Sequence, residues 1–206
     1  MKKVLLLVAA SFLLFALTST ANAQQFDIAF GYGTLGGNAA GDATVTDILN
    51  GTHQAQSISG GGYPSFSGDF LFIKKYLGVG GEVTWRAHQN LDVFGEPYRP
   101  ILYDFNAVFA PPIGKKAQAE VQAGIGAESL RFYQGFFNCT FFGCTNYSSS
   151  NHFLGHVGGG LRFYFWHNVF IRPEAHIYLV HNNFEFAGPR VTRYAVSLGY
   201  SLRNTM

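Results

Sequence analysis

Between residues 26 and 202 the chain alternates apolar and polar side chains with a period of two, in eight separate segments. Successive side chains of a strand point to opposite faces, so each segment reads as a strand with two chemically distinct sides. In the first, Phe26, Ile28, Phe30 and Tyr32 share one parity, and Asp27, Ala29, Gly31 and Gly33 the other. In the last, Tyr194, Val196, Leu198, Tyr200 and Leu202 oppose Arg193, Ala195, Ser197, Gly199 and Ser201. The other six lie near residues 65–73, 77–87, 100–110, 117–130, 152–165 and 169–180.

The charges decide which face is which. Asp27, Asp69, Glu82, Arg86, Asp104, Glu120, Glu128, Arg162, Arg172, Glu174 and Arg193 all fall on the polar parity, and the other parity is apolar or glycine. A soluble ligand-binding barrel such as a lipocalin needs the reverse, with its charges outside. Here the uninterrupted apolar face must meet hydrocarbon and the polar face must be enclosed. Backbone groups in lipid have to pair internally, so the sheet must close on itself. The connections agree. Those at 74–76, 111–116 and 166–168 are short, while those near 34–64, 88–99, 132–151 and 181–190 are long. Short turns at one rim and long loops at the other are the pattern of a transmembrane barrel, with both termini on the short-turn side. Outward aromatics near the strand ends (Phe72, Phe109, Phe163 and Phe165 low, Tyr32, Phe66, Trp85 and Tyr194 high) suit two interfacial girdles.

The N-terminus supplies a route to such a membrane. Lys2 and Lys3 form a basic start, Val4 to Leu17 is uncharged and apolar, and Ala21-Asn-Ala23 offers a cleavage site. Residues 1–23 therefore read as a signal peptide and 24–206 as one barrel domain. Of 14 basic residues the signal takes two, leaving 12 against 12 acidic ones. A neutral mature chain has no basic field for nucleic acid. Aromatic residues make up 17% of the chain and charged residues 13%, a balance that suits an exterior in contact with lipid.

The signal peptide, the eight alternating segments and the short–long order of connections resemble the small outer-membrane barrels related to OmpA, OmpX and OmpW. The likeness covers essentially the whole mature chain. It implies an all-β, eight-stranded antiparallel transmembrane barrel in the outer membrane of a Gram-negative bacterium. The surroundings it implies are outer-membrane lipid and lipopolysaccharide, with the barrel assembly machinery as inserting partner and no cofactor. Members serve as structural proteins, adhesins or narrow pores. The chain departs from the class at its end, Ser201-Leu-Arg-Asn-Thr-Met206, where an aromatic residue is usual. Ser197-Leu-Gly-Tyr-Ser-Leu202 is read as the assembly signal in its place.

Motifs for other chemistry find no support. Gly31-Tyr-Gly-Thr-Leu-Gly36 matches the dinucleotide-binding glycine pattern, but a polar loop follows it where a helix is required. His152 and His156 would share a helix face, yet on a strand they stand about 13 Å apart and cannot hold one ion. His156 and His176 read as polar interior groups. The barrel enzymes that act on lipid A resemble one another around a His-x-Ser motif with a later Glu, or a His with an Asp-Ser pair. None of the seven histidines precedes x-Ser, and Asp-Ser does not occur. No catalytic, cofactor-binding or metal-binding residue is assigned.

Two constellations remain. An eight-stranded barrel is only wide enough to fill with side chains, so its inward charges must pair. Glu82, Arg86, Asp104, Glu120, Arg162, Arg172 and Glu174 are expected to form two charge clusters that block solute: Arg162 and Arg172 with Glu120 and Glu174, and Arg86 with Glu82 and Asp104. In the fifth connection, Phe136, Phe137, Phe141 and Phe142 surround Cys139 and Cys144. An oxidising compartment favours a local disulfide there. The aromatic group is a candidate contact surface for a partner. The expected function is thus a non-enzymatic anchor for surface loops with structural, adhesive or binding roles. The alternatives are a narrow channel for small solutes and, further off, a lipid A-modifying enzyme.

Overall fold

The computed structural model describes residues 24–37, 44–47, 51–54, 58, 60–92, 95–140, 143–181 and 189–203. Eight strands form the barrel: β1 (Gln25–Gly37), β2 (Tyr63–Ile73), β3 (Leu77–Trp85), β4 (Pro97–Phe109), β5 (Ala117–Thr140), β6 (Gly143–Trp166), β7 (Val169–Val180) and β8 (Arg190–Arg203). Each pairs antiparallel with its sequence neighbours, and β1 pairs with β8 from Gln25↔Arg203 to Gly37↔Val191, which closes the ring. Three short strands lie in the long connections: Thr44–Asp47 pairs with Gly51–Gln54, and Asn90–Leu91 pairs with the start of β4.

Side-chain burial follows the alternation strand by strand, as in β7, where Phe170, Arg172, Glu174, His176 and Tyr178 are buried and Ile171, Ile177 and Leu179 are exposed. The buried parity is the polar one, so the enclosed space is inside the barrel and the apolar residues coat its outer surface. Phe105 is 74% exposed, although it lies well within β4. Such a ring of open aliphatic and aromatic side chains would aggregate in water and suits hydrocarbon. Phe72, Phe109, Phe163 and Phe165 face outward toward the short-turn end, and Tyr32 and Tyr194 toward the other.

Gly31 to Gly36 lies wholly within β1, so the strand–turn–helix context of a nucleotide-binding loop is missing there. The first short turn is tight enough to hold Lys74 and Lys75 at positive φ, 50° and 60°. The fifth connection differs from the expected loop. β5 and β6 run for 24 residues each and meet as a ribbon, with Tyr133 opposite Tyr147 and Cys139 opposite Cys144. Because the pairing of β4 with β5 ends at Tyr98↔Phe132, the residues from Tyr133 to Thr140 have β6 as their only partner strand among the described residues. Measured along β6, from Tyr147 to Gly143, at about 3.3 Å per residue this ribbon extends roughly 15 Å past the end of β4.

The two rims carry an expected labelling pattern. Cysteines placed at Asn50, Asn90 or Asn183 should react with a membrane-impermeant thiol reagent on intact cells, and one at Gly114 should not. Asn90 and Gly114 occupy opposite ends of the barrel, while Asn50 and Asn183 lie outside the described residues. Labelling of Gly114 with protection of Asn90 would reverse the orientation.

Candidate functional site

The interior is built around a column of three arginines, Arg162 on β6, Arg172 on β7 and Arg193 on β8, each with no solvent exposure. Every nitrogen of the lowest guanidinium meets a carboxylate: Arg162 pairs with Asp27 of β1 and Glu120 of β5, and its Nη2 donates to Asp69 of β2 at 2.8 Å. Arg172 Nη1 donates to Glu120 at 2.8 Å and to Asp69 at 3.4 Å, and Nη2 to Ser67 at 3.0 Å. Arg193 Nη1 pairs with Glu82, and Nη2 donates to Ser65 at 2.7 Å and Glu174 at 3.0 Å. Arg162 and Arg172 are thus neighbours held apart by shared carboxylates. Like charges so close need such bridging, and Glu120 supplies it with one oxygen to each.

The expected pair of separate clusters is replaced by one continuous column, and Arg86 is not part of it. Its guanidinium lies 5.9 Å from the ring centres of both Tyr63 and Tyr98, near the long-loop rim. Glu82 turns to Arg193 in its place, and Asp104 accepts from Asn106 and lies 3.6 Å from His156 Nδ1. Arg86 follows the last residue of β3, about 13 Å along the strand from Glu82, so it reaches the aromatic layer before the charges.

Apolar layers cover the charges at both ends. Toward the long loops, Tyr63, Tyr98, Tyr178, Leu102, Leu130 and Leu154 pack together inside the barrel. Toward the short turns, Leu71, Val108 and Ala110 do so. Between column and upper layer lies a histidine pair: His156 Nε2 and His176 Nδ1 are 2.8 Å apart, with ring planes within 12° of each other and ring centres 5.0 Å apart. Gly158 makes room for it, since a Cβ there would collide with His176 Nδ1. Spacing along one strand, which separates His152 from His156, does not reveal this pair. Inward parity on adjacent strands would have shown it.

The ribbon places the other candidates. Cys139 and Cys144 are joined by a disulfide across the two strands. Between the pairs Tyr133↔Tyr147 and Asn138↔Thr145, four residues of β5 face one of β6. This bulge throws Phe136 and Phe137 outward, to 61% and 70% exposure. Phe141 and Phe142 lie outside the described residues. Below them Arg131 lies over the Tyr147 ring at 4.8 Å and Arg99 over Tyr133 at 5.8 Å.

A closed eight-stranded ring with a charged, filled interior and an apolar exterior defines the class: the fold is that of the small outer-membrane β-barrels. Neither a protein-family model nor a curated protein matches the sequence. Solved structures do match in fold. The crystal structure of Neisserial surface protein A aligns with a TM-score of 0.58 at 9% identity, over 86% of this chain and 96% of that one. A major outer membrane protein from Thermus thermophilus gives 0.54 at 12% identity, over 87% and 100%. Ail, the attachment invasion locus protein of Yersinia pestis, in complex with the heparin analogue sucrose octasulfate, gives 0.51 at 15% identity, over 87% and 99%.

Proposed function

We propose that this chain is exported by cleavage of residues 1–23 and spans the outer membrane as a plugged, non-enzymatic anchor for its surface ribbon. In this reading the barrel is set among outer-membrane lipid and lipopolysaccharide by the barrel assembly machinery. Its interior serves stability, and recognition belongs to the tip of β5 and β6. The observation that carries the reading is the ribbon itself: Tyr133 to Tyr147 contains no charged residue, and Phe136 and Phe137 stand open to solvent on it. Exposed aromatic pairs on a rigid projection favour contact with an apolar protein surface, because the disulfide limits the freedom lost on binding.

The sulfated ligand in the Ail complex suggests a different chemistry for that protein. A sulfate-binding tip would need several Lys or Arg, and residues 133–147 have neither. A conducting pore is the second reading, and the buried arginine column argues against it. The test is a Phe136→Ser/Phe137→Ser variant displayed on cells and scored for adhesion to immobilised matrix and serum proteins. Burying one phenylalanine contributes about 1.5–3 kcal/mol, so each serine should weaken binding at least about tenfold. Unchanged adhesion, in a variant that folds as the parent does, would move recognition away from the ribbon.

A further inference from the structure

The buried charges do not balance. Among the described residues seven carboxylates are buried, Asp27, Asp69, Glu82, Asp104, Glu120, Glu128 and Glu174, against four guanidiniums, Arg86, Arg162, Arg172 and Arg193. An enclosed excess of negative charge calls for protons or a further cation. The hydrogen-bond pattern shows where a cation would sit.

Asn106 Nδ2 donates to the Asp104 carboxylate, which turns Asn106 Oδ1 toward His156 Nδ1 at 2.7 Å. An amide oxygen only accepts, so His156 carries its proton on Nδ1. As a neutral ring it then accepts at Nε2 from His176 Nδ1. The other ring nitrogen of His176, Nε2, lies 3.7 Å from Glu174 Oε2, and Glu82 brings a second carboxylate to the same place. Glu82 Oε2, Glu174 Oε2 and His176 Nε2 are buried without a hydrogen bond, and one ligand atom from each of the three residues lies within 4.8 Å of the others. One imidazole nitrogen and two carboxylates thus converge with their ligand atoms left out of the hydrogen-bond network.

We infer that Glu82, Glu174 and His176 bind one divalent transition-metal cation inside the barrel. One imidazole nitrogen and two carboxylate oxygens suit zinc or manganese better than calcium, which prefers oxygen alone. His176 Nε2 and Glu174 Oε2 are 3.7 Å apart. That is near the spacing of ligand atoms around zinc, about 3.3–3.5 Å for bonds of about 2.0–2.1 Å. The surroundings supply the outer support such ligands need. Glu82 Oε1 and Glu174 Oε1 both hold Arg193, which fixes the two carboxylates and leaves each Oε2 outside that contact. His176 Nδ1 is fixed by His156. Arg172 is the competing cation: its Nε lies 2.5 Å from Glu174 Oε2 and its Nη2 4.0 Å from Glu82 Oε2. With Nε out of hydrogen-bond alignment, it neutralises part of the charge without filling the position.

The test is metal content. The full chain would be purified from membranes in detergent, folding checked by heat-dependent gel mobility, loaded separately with zinc and manganese and freed of excess ion. Wild type should retain about one equivalent of zinc or manganese. Glu82→Gln and His176→Gln should retain less than a tenth of it, and His167→Gln, in an exposed turn, should match wild type. X-ray absorption of the loaded wild type should show oxygen and nitrogen ligands with a single imidazole, a result that does not depend on the variants folding. Folded wild type that keeps neither metal overturns the proposal, as does retention by a folded His176→Gln variant or a shell with sulfur or several imidazoles.

Discussion

Arg162→Ala is expected to destabilise the folded barrel by about 3–5 kcal/mol, the cost of removing one member from a buried ionic cluster. The size follows from the number of groups left behind. Asp27, Asp69 and Glu120 all converge on this one guanidinium, and at most Glu120 and Asp69 keep a second partner, in Arg172. Asp27 would retain only the amide of Gln25. Arg162→Lys should recover little, because one ammonium cannot present the fork that reaches three carboxylates. Urea unfolding in detergent or lipid measures both. A loss below about 1 kcal/mol for the alanine variant would mean that water already solvates these carboxylates.

Phe105→Arg is expected to cost about 2–4 kcal/mol in lipid, the value for a charge placed on the lipid face at mid-depth. Phe105 pairs with Ile125 on β5 and faces outward between apolar neighbours, far from either rim. Phe105→Leu should cost little there, and Gly135→Arg, on the projecting ribbon, should cost little too. Folding titrations into vesicles compare the three. Equal stability of Phe105→Arg and Phe105→Leu would remove the membrane from that face and return the chain to a soluble barrel.

Period-two parity assigned every interior charge to its correct side, because a strand offers a side chain only two directions. It could not assign partners across the ring. Arg193 and Asp69 meet residues on strands remote in sequence, so the column depends on register, which no single segment specifies. Arg86 misled for a related reason: parity gives the face of a long side chain and not its reach along the barrel. The apolar layers at each end use the same inward parity, with Leu102 and Tyr178 standing where a charge-based reading looks past them. The ribbon was hidden by composition. Glycine, asparagine and serine between residues 132 and 151 signal a loop, whereas the disulfide and the Tyr133–Tyr147 pairing carry the strands on through it.

Single-channel recording in planar bilayers tests the central claim, that the barrel is a plugged anchor and not a pore. Wild-type protein, inserted at known density, should give no stable unitary current, because three guanidiniums and their carboxylates fill the cross-section between two apolar layers. Arg162→Ala should raise conductance by loosening that filling. Steady open-channel current from the wild type, unaltered by Arg162→Ala, would contradict the account and make this chain a narrow porin.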